Sequence, residues 1–154
     1  MENIKYKVYL SGEIHSNWRQ NIINKSKSLS LPIIFYSPVT EHELSDDCGI
    51  KILGKEEKKF WHDYKGASMN NIRISSLIKK SDLVIIRFGD KYKQWNAAFD
   101  AGVASCLGKP IITYHDGSLD HALKEIDSAA NTVCRTEDQI VKSLKYITEG
   151  TIDD

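Results

Sequence analysis

Leu83-Val84-Ile85-Ile86-Arg87-Phe88 runs into Gly89-Asp90-Lys91-Tyr92-Lys93-Gln94-Trp95-Asn96, then into Ala97-Ala98-Phe99-Asp100-Ala101-Gly102-Val103-Ala104, closing with Leu107-Gly108-Lys109-Pro110. The first piece is a near-continuous apolar run, as expected of a strand covered on both faces. The last piece is a small-residue helix. Trp95, Phe99, Val103 and Cys106 recur at helical spacing and predict its buried stripe. Gly108 suits the position just past the helix, and Pro110 follows it. Strand, loop, helix and a further strand at 110–114 make a parallel crossover unit. The loop therefore lies at the C-terminal edge of a sheet, where open α/β folds bind ligands. Asp100, in the early turns of the helix, is a candidate nucleophile there.

The alternation extends in both directions. Residues 6–10 read as a first strand ending at Ser11-Gly12. Trp18, Ile22 and Leu29 follow at helical spacing, with Ser16 or Asn17 as the cap. Residues 32–36 read as a second strand, stopped by Ser37-Pro38. Residues 37–67 show no clear period and read as a long functional connection, helical in part at 55–64. From Asn70 the helical pattern returns, with Ile74, Leu77 and Ile78 on one face. Beyond the fourth strand, Leu119, Ala122, Leu123 and Ile126 predict a short helix, and residues 132–134 a brief fifth strand. Thr136 and Gln139 fit a capping box for a last helix carrying Ile140, Leu144 and Ile147. The expected architecture is one α/β domain over residues 1–150. It is a doubly wound parallel sheet of about five strands flanked by helices. Residues 151–154 are expected to form a frayed tail.

The chain has 154 residues, and 21 Lys plus Arg balance 21 Asp plus Glu. Zero formal charge does not argue for a nucleic acid polymer or an anionic membrane, which need clustered basic surface. It is compatible with self-association. Met1-Glu2-Asn3-Ile4-Lys5 lacks the apolar core of a signal peptide, and no apolar run is long enough to span a bilayer. Cys48, Cys106 and Cys134 are odd in number and form no Cys-x-x-Cys pair. Reduced thiols in the cytoplasm are the simplest reading.

The loops that converge on the C-terminal edge carry the candidate chemistry. Asn96 and Asp100 are four residues apart and share a helix face. The helix N-terminus is expected to favour the ionised form of Asp100. An ionised, held carboxylate is what displacement at the anomeric carbon of a sugar requires. An acid in the first turns of a helix serves equally well as a structural group that compensates the dipole. Glu13 and His15 follow the first strand, where ligands are commonly met, and also suit a local hydrogen-bonding unit. Trp18 could stack on a base, although its spacing with Ile22 favours the core. Trp95 has the same two readings. His42, Asp46, Asp47, Cys48, His62 and Asp63 show no recognised ligand spacing, so no metal site is expected. Lone Gly12 and Gly89 make neither a GxGxxG nor a Walker loop, so no dinucleotide cofactor is expected.

The runs Val8-Tyr9-Leu10-Ser11-Gly12-Glu13-Ile14-His15-Ser16-Asn17-Trp18-Arg19 and Phe88-Gly89-Asp90-Lys91-Tyr92-Lys93-Gln94-Trp95-Asn96 closely resemble the YtoQ family of bacterial proteins. The resemblance extends over nearly the whole chain. That family is grouped with the nucleoside 2-deoxyribosyltransferase-like proteins. The resemblance implies a flavodoxin-like fold and a homodimer or higher homo-oligomer with shared active sites. It also implies cleavage or exchange of the N-glycosidic bond of a nucleoside or nucleotide. The wider group carries Glu followed by x-Gly-x-Ala, then Gly-Lys-Pro. Here the matching run is Asp100-Ala101-Gly102-Val103-Ala104, then Gly108-Lys109-Pro110. The implied nucleophile thus falls on Asp100, one methylene shorter. Asn70-Asn71-Ile72-Arg73-Ile74 lacks the acid that such enzymes carry on the preceding helix, and Asn96 stands where phosphate-binding relatives have Gly.

Residues and resemblance together give Asp100, Glu13 and Arg73 as candidate catalytic groups. Gly12, His15, Trp18, Asp90, Tyr92, Gln94 and Asn96 are the candidate substrate contacts. Arg73 is expected to bind phosphate, pair with Asp100 or assist the leaving base. The expected ligand is a small nucleoside or nucleotide, with no cofactor and no metal. The alternative is a non-catalytic nucleotide-binding or small-ligand sensor protein of the same fold.

Overall fold

The structure, a computed structural model, describes residues 4–152. Strand β1 (Tyr6–Gly12) pairs with β2 (Ile33–Tyr36) on one side and β3 (Leu83–Arg87) on the other. Strand β4 (Ile111–Tyr114) pairs with β3, and β5 (Thr132–Cys134) closes the far edge. All pairings are parallel, in the order β2-β1-β3-β4-β5. This is the flavodoxin-like order, and it reverses between β1 and β3. The expected five-strand doubly wound sheet is therefore present.

Among the described residues six α-helices accompany the sheet: α1 (Trp18–Ser28), α2 (His42–Leu53), α3 (Lys59–Lys80), α4 (Trp95–Cys106), α5 (Lys124–Ala129) and α6 (Glu137–Glu149), with α2 packed on α3. Successive side chains of β1 point to opposite faces. Val8 and Leu10 join Trp18, Ile22, Ile85, Ile140 and Leu144 in a core beneath α1 and α6. Tyr9 joins Ile78, Val84, Ile86, Ala97, Ala101 and Ala104 in a second core beneath α3 and α4. Each fully buried Ile or Leu here contributes roughly 1.5–3 kcal/mol.

Local signals placed several boundaries well. Gly108 follows α4 with φ +66°, and its N–H donates to the Ser105 carbonyl. Thr136 Oγ1 accepts from Gln139 N at 3.1 Å, and Gln139 Oε1 accepts from Arg135 N at 2.6 Å. Val141 is buried in α6 where Ile147 was expected, and Ile147 is exposed. Thr151 and Ile152 follow α6 without regular structure, and residues 153–154 of the expected tail lie outside the described residues. So do residues 1–3 of the N-terminal stretch read above. No helix among the described residues is long and apolar enough to cross a membrane.

Two expectations are corrected. Residues 37–67 do not form a long connection, because α2 and the start of α3 occupy most of them as a helical hairpin. The hairpin closes through backbone rather than through an apolar stripe. A Cβ on Gly49 would lie 2.2 Å from the Lys65 carbonyl carbon, and one on Gly66 would lie 2.6 Å from the Asp46 carbonyl oxygen. The buried stripe of α4 is also not the expected one. Trp95 and Phe99 are 71% and 62% exposed, and Ala97, Asp100, Ala101 and Ala104 face the sheet. Small side chains let α4 approach β1 and β3 closely, so its large apolar residues point outward.

Candidate active site

Strands β1 and β3 end where the sheet order reverses, and a cleft of about 930 Å³ opens beyond them. Pro38 and Val39, after β2, line one side of it. The loop after β1 supplies Gly12, Glu13 and His15; α2 and α3 supply His42, Asp46, Asp63, Tyr64 and Asn70; and the start of α4 with its preceding loop supplies Tyr92 to Ala97, Phe99 and Asp100.

Asp100 is 7% exposed and still lines this cleft. Its Oδ2 accepts from Ser11 Oγ at 2.6 Å. Among the described residues no hydrogen bond reaches its Oδ1, and that oxygen is not among the enclosed, unpartnered polar atoms. Oδ1 is therefore the oxygen open to the cleft. Burial pushes the carboxyl up to about 6, while the Ser11 hydrogen bond and the Arg19 charge pull it down. The helix N-terminus is expected to favour the ionised form, and the net shift runs the other way. Desolvation disfavours the charge, and Asp100 lies one turn beyond the end where the dipole acts most strongly. At neutral pH the group is still mostly ionised.

The loop after β1 is held from within. Gly12 adopts φ +115°, and a Cβ there would lie 2.0 Å from the Arg87 carbonyl oxygen. The Glu13 carboxylate accepts from His15 N at 2.6 Å, Ser16 N at 3.1 Å, Arg87 Nε at 3.1 Å and the Ser16 hydroxyl. Burial opposes its charge, and these bonds outweigh burial to hold it below the ordinary carboxylate range. Arg19 is buried against three carbonyls, those of Leu10, Gly12 and Glu13, at 2.7–3.0 Å. Burial lowers it to about 10, so it remains a cation beneath the site.

The loop before α4 is equally braced. Gln94 Oε1 accepts from Gly89 N, and its Nε2 donates to the Lys91 and Tyr92 carbonyls. Tyr92 is held at φ +61°, with its ring 5.0 Å from that of His15. The N-terminus of α4 has no side-chain cap and no acid in its first turn. Trp95 and Asn96 stand there on the cleft.

The structure thus brings Gly12, Glu13, His15, Tyr92, Gln94, Asn96 and Asp100 to one cleft. Three candidates fall elsewhere. Trp18 is 1% exposed, packs in the core and donates its indole N–H to the Glu13 carbonyl at 2.9 Å. It cannot stack on a ligand. Arg73 does not line the cleft or hydrogen-bond to Asp100; its Nη1 donates to the Ser37 carbonyl at 2.9 Å. Asp90 is exposed outside the lining. Trp95, weighed toward the core, stands on the cleft instead. Sequence reasoning missed Ser11, whose signal was strand alternation placing it on the α4 face. It also missed Tyr9, fully buried with an unpartnered hydroxyl.

Among the described residues, His115, Asp120 and Asp127 offer ligand atoms within 4.8 Å of one another, outside the cleft. Arg135 Nη1 already sits 2.6 Å from Asp120 Oδ1, so a cation occupies that corner.

Comparison with known proteins gives a concordant result. The model of the family described as nucleoside 2-deoxyribosyltransferase YtoQ matches residues 9–148. A Bacillus subtilis (strain 168) protein, YtoQ, itself uncharacterized, is 46% identical over 146 residues, covering 95% of this chain and 99% of its own. The fold is shared with a 2-deoxyribosyltransferase of Bacillus psychrosaccharolyticus, at a TM-score of 0.60 and 16% identity over 88% of this chain and 90% of that one. It is shared also with a Clostridium botulinum CMP N-glycosidase, at a TM-score of 0.54 and 14% identity over 92% and 98%. The chain belongs to the family described as nucleoside 2-deoxyribosyltransferase YtoQ.

Proposed function

We propose that this protein cleaves or exchanges the N-glycosidic bond of a 2′-deoxynucleoside or its 5′-monophosphate, with Asp100 as the attacking acid. One observation carries the reading: the unpartnered Oδ1 of a buried carboxylate faces the cleft at the switch point of the sheet. Oδ1 bonds to C1′ as the C1′–N bond breaks, and the base leaves with the bond electrons and takes a proton from solvent. Water or a second base then attacks C1′, and the carboxylate is released. The free N–H groups of α4, with Asn96, suit a sugar hydroxyl or phosphate. His15, Tyr92 and Trp95 supply aromatic faces for the base. Glu13 braces the loop in this scheme rather than transferring a proton, because its carboxylate is already engaged by four donors.

Exposed Phe60, Trp61 and Tyr64 pack on one another at the start of α3 and suit self-association. The free thiols of Cys48, Cys106 and Cys134 suit a reducing cytoplasm.

The test is a panel of deoxynucleosides and 5′-monophosphates with free base as the readout. Release by the wild type and its loss in Asp100→Ala is the expected result. Equal release by both proteins defeats the assignment. Ligand-induced thermal stabilisation without turnover instead returns the sensor reading, which the missing acid at residues 70–74 favours.

A further inference from the structure

We propose that Ser11 is a positioning residue for this chemistry: its hydroxyl anchors Oδ2 of Asp100 and leaves Oδ1 as the oxygen that meets the sugar. The inference rests on the reading of Asp100 given above. Ser11 is fully buried, and strand alternation sets it beside Tyr9 on the face of β1 that α4 covers. Its Oγ lies 2.6 Å from Oδ2, the length of a strong charge-assisted bond. Asp100 has a broad terminal torsion, and one anchored oxygen fixes it. Around the pair, Ala97, Ala101 and Ala104 offer no polar side chain. The Tyr9 hydroxyl is the other polar group on this face, and it is close enough to feel the Asp100 charge. Without Ser11 the buried Oδ2 would lose its hydrogen bond, and the neutral acid would be favoured. Arg19 acts on Asp100 only through its field, since its own hydrogen bonds go to backbone carbonyls. Ser11 keeps its proton throughout. The bond it donates to Oδ2 persists while Oδ1 forms and then loses its ester link to C1′.

The experiment follows the Asp100 carboxyl by 13C NMR across pH in wild type, Ser11→Ala and Ser11→Thr, with Asp100→Asn assigning the signal. The pH profile of base release is measured in parallel. In Ser11→Ala the carboxyl midpoint should rise by about one unit, which lowers the ionised fraction about tenfold on the acid side. The acid limb of kcat should move with it. At pH values well above the midpoint, kcat should stay about tenfold low with KM nearly unchanged, because orientation is still lost. Ser11→Thr should restore both. If Ser11→Ala does not fold, Ser11→Cys, close in volume with a weaker donor, carries the same measurements. An unmoved midpoint overturns the assignment of Ser11 alone. So does full recovery of kcat at high pH, because it leaves no orienting role. A wild type that releases no base overturns the glycosidic reading itself, and that result is read before any variant is made.

Discussion

Two acids stand at the C-terminal edge of the same sheet, Asp100 buried and Asp127 half-buried, and they differ in how far their hydrogen bonding is completed. Asp127 has both carboxylate oxygens engaged. Its Oδ1 accepts from Thr113 Oγ1 at 2.7 Å, and its Oδ2 lies 2.9 Å from Nε2 of the fully buried His115. The other ring nitrogen of His115 meets the Asp116 carbonyl at 2.8 Å and Arg135 at 3.2 Å, and Arg135 in turn holds Asp120. Asp100 has Ser11 on one oxygen and a cleft on the other. A cluster whose polar atoms satisfy one another rigidifies its corner of the fold. An acid with one oxygen left open to a cleft can accept a new bond. The difference lies in unfinished hydrogen bonding: Asp127, the more exposed of the two, has both oxygens engaged, and Asp100 has one.

The sharpest way to break this contrast is to remove each acid in turn. Asp100→Ala should lower base release about 1,000-fold, the scale set by loss of a covalent nucleophile. Asp127→Asn should leave release within about threefold and lower thermal stability by roughly 1–3 kcal/mol, through the partners it orphans. The two acids have the same standing if release and melting respond alike in both variants.

The second effect concerns charge. Burial raises the Asp100 carboxyl to about 6 in the folded chain, above its unfolded value of 3.8. The folded state therefore binds the proton more tightly, and this acid's contribution to stability falls as pH rises from about 4 to about 6. Asp100→Asn should accordingly be more stable than wild type by roughly 1–3 kcal/mol at pH 7, with the gain gone near pH 3. Chemical denaturation at both values checks the sign. A variant less stable at neutral pH would show that the ionised carboxylate is favoured by its site. In the wild type, base release should rise through a midpoint near pH 6 as Asp100 ionises.

The smallest effect on catalysis is expected at Trp95, and it separates two tryptophans. Trp95→Ala should raise KM roughly three- to tenfold without a change in melting, as loss of a stacking face would. Trp18→Ala should cost about 3–5 kcal/mol of stability, as loss of a large core side chain does. Circular dichroism melts and Michaelis constants on the same samples distinguish them.

How much of this was legible can be judged from particular residues. The run at 83–86 is apolar throughout because β3 is covered on both faces, so it announced itself. Gly108 and the Thr136–Gln139 pair are backbone-level signals and read correctly. The α2–α3 hairpin was invisible because Gly49 and Gly66 join it by backbone approach, which leaves no hydrophobic period to detect. The face of α4 was misread for a related reason. Hydrophobic periodicity weights large side chains, and here close approach to the sheet selected small ones.

By itself the sequence determined the architecture, the place of Asp100 at the ligand-binding edge and the family. Each rests on local pattern or on residue identity along the chain. The tertiary structure alone decided which oxygen of Asp100 is open, that burial raises its carboxyl against the pull of Ser11 and Arg19, and that Glu13 is committed to its own loop. Those properties depend on what stands opposite each group in space. Strand β1 brings Ser11 to a residue 89 positions further along the chain, a distance over which no local pattern carries information.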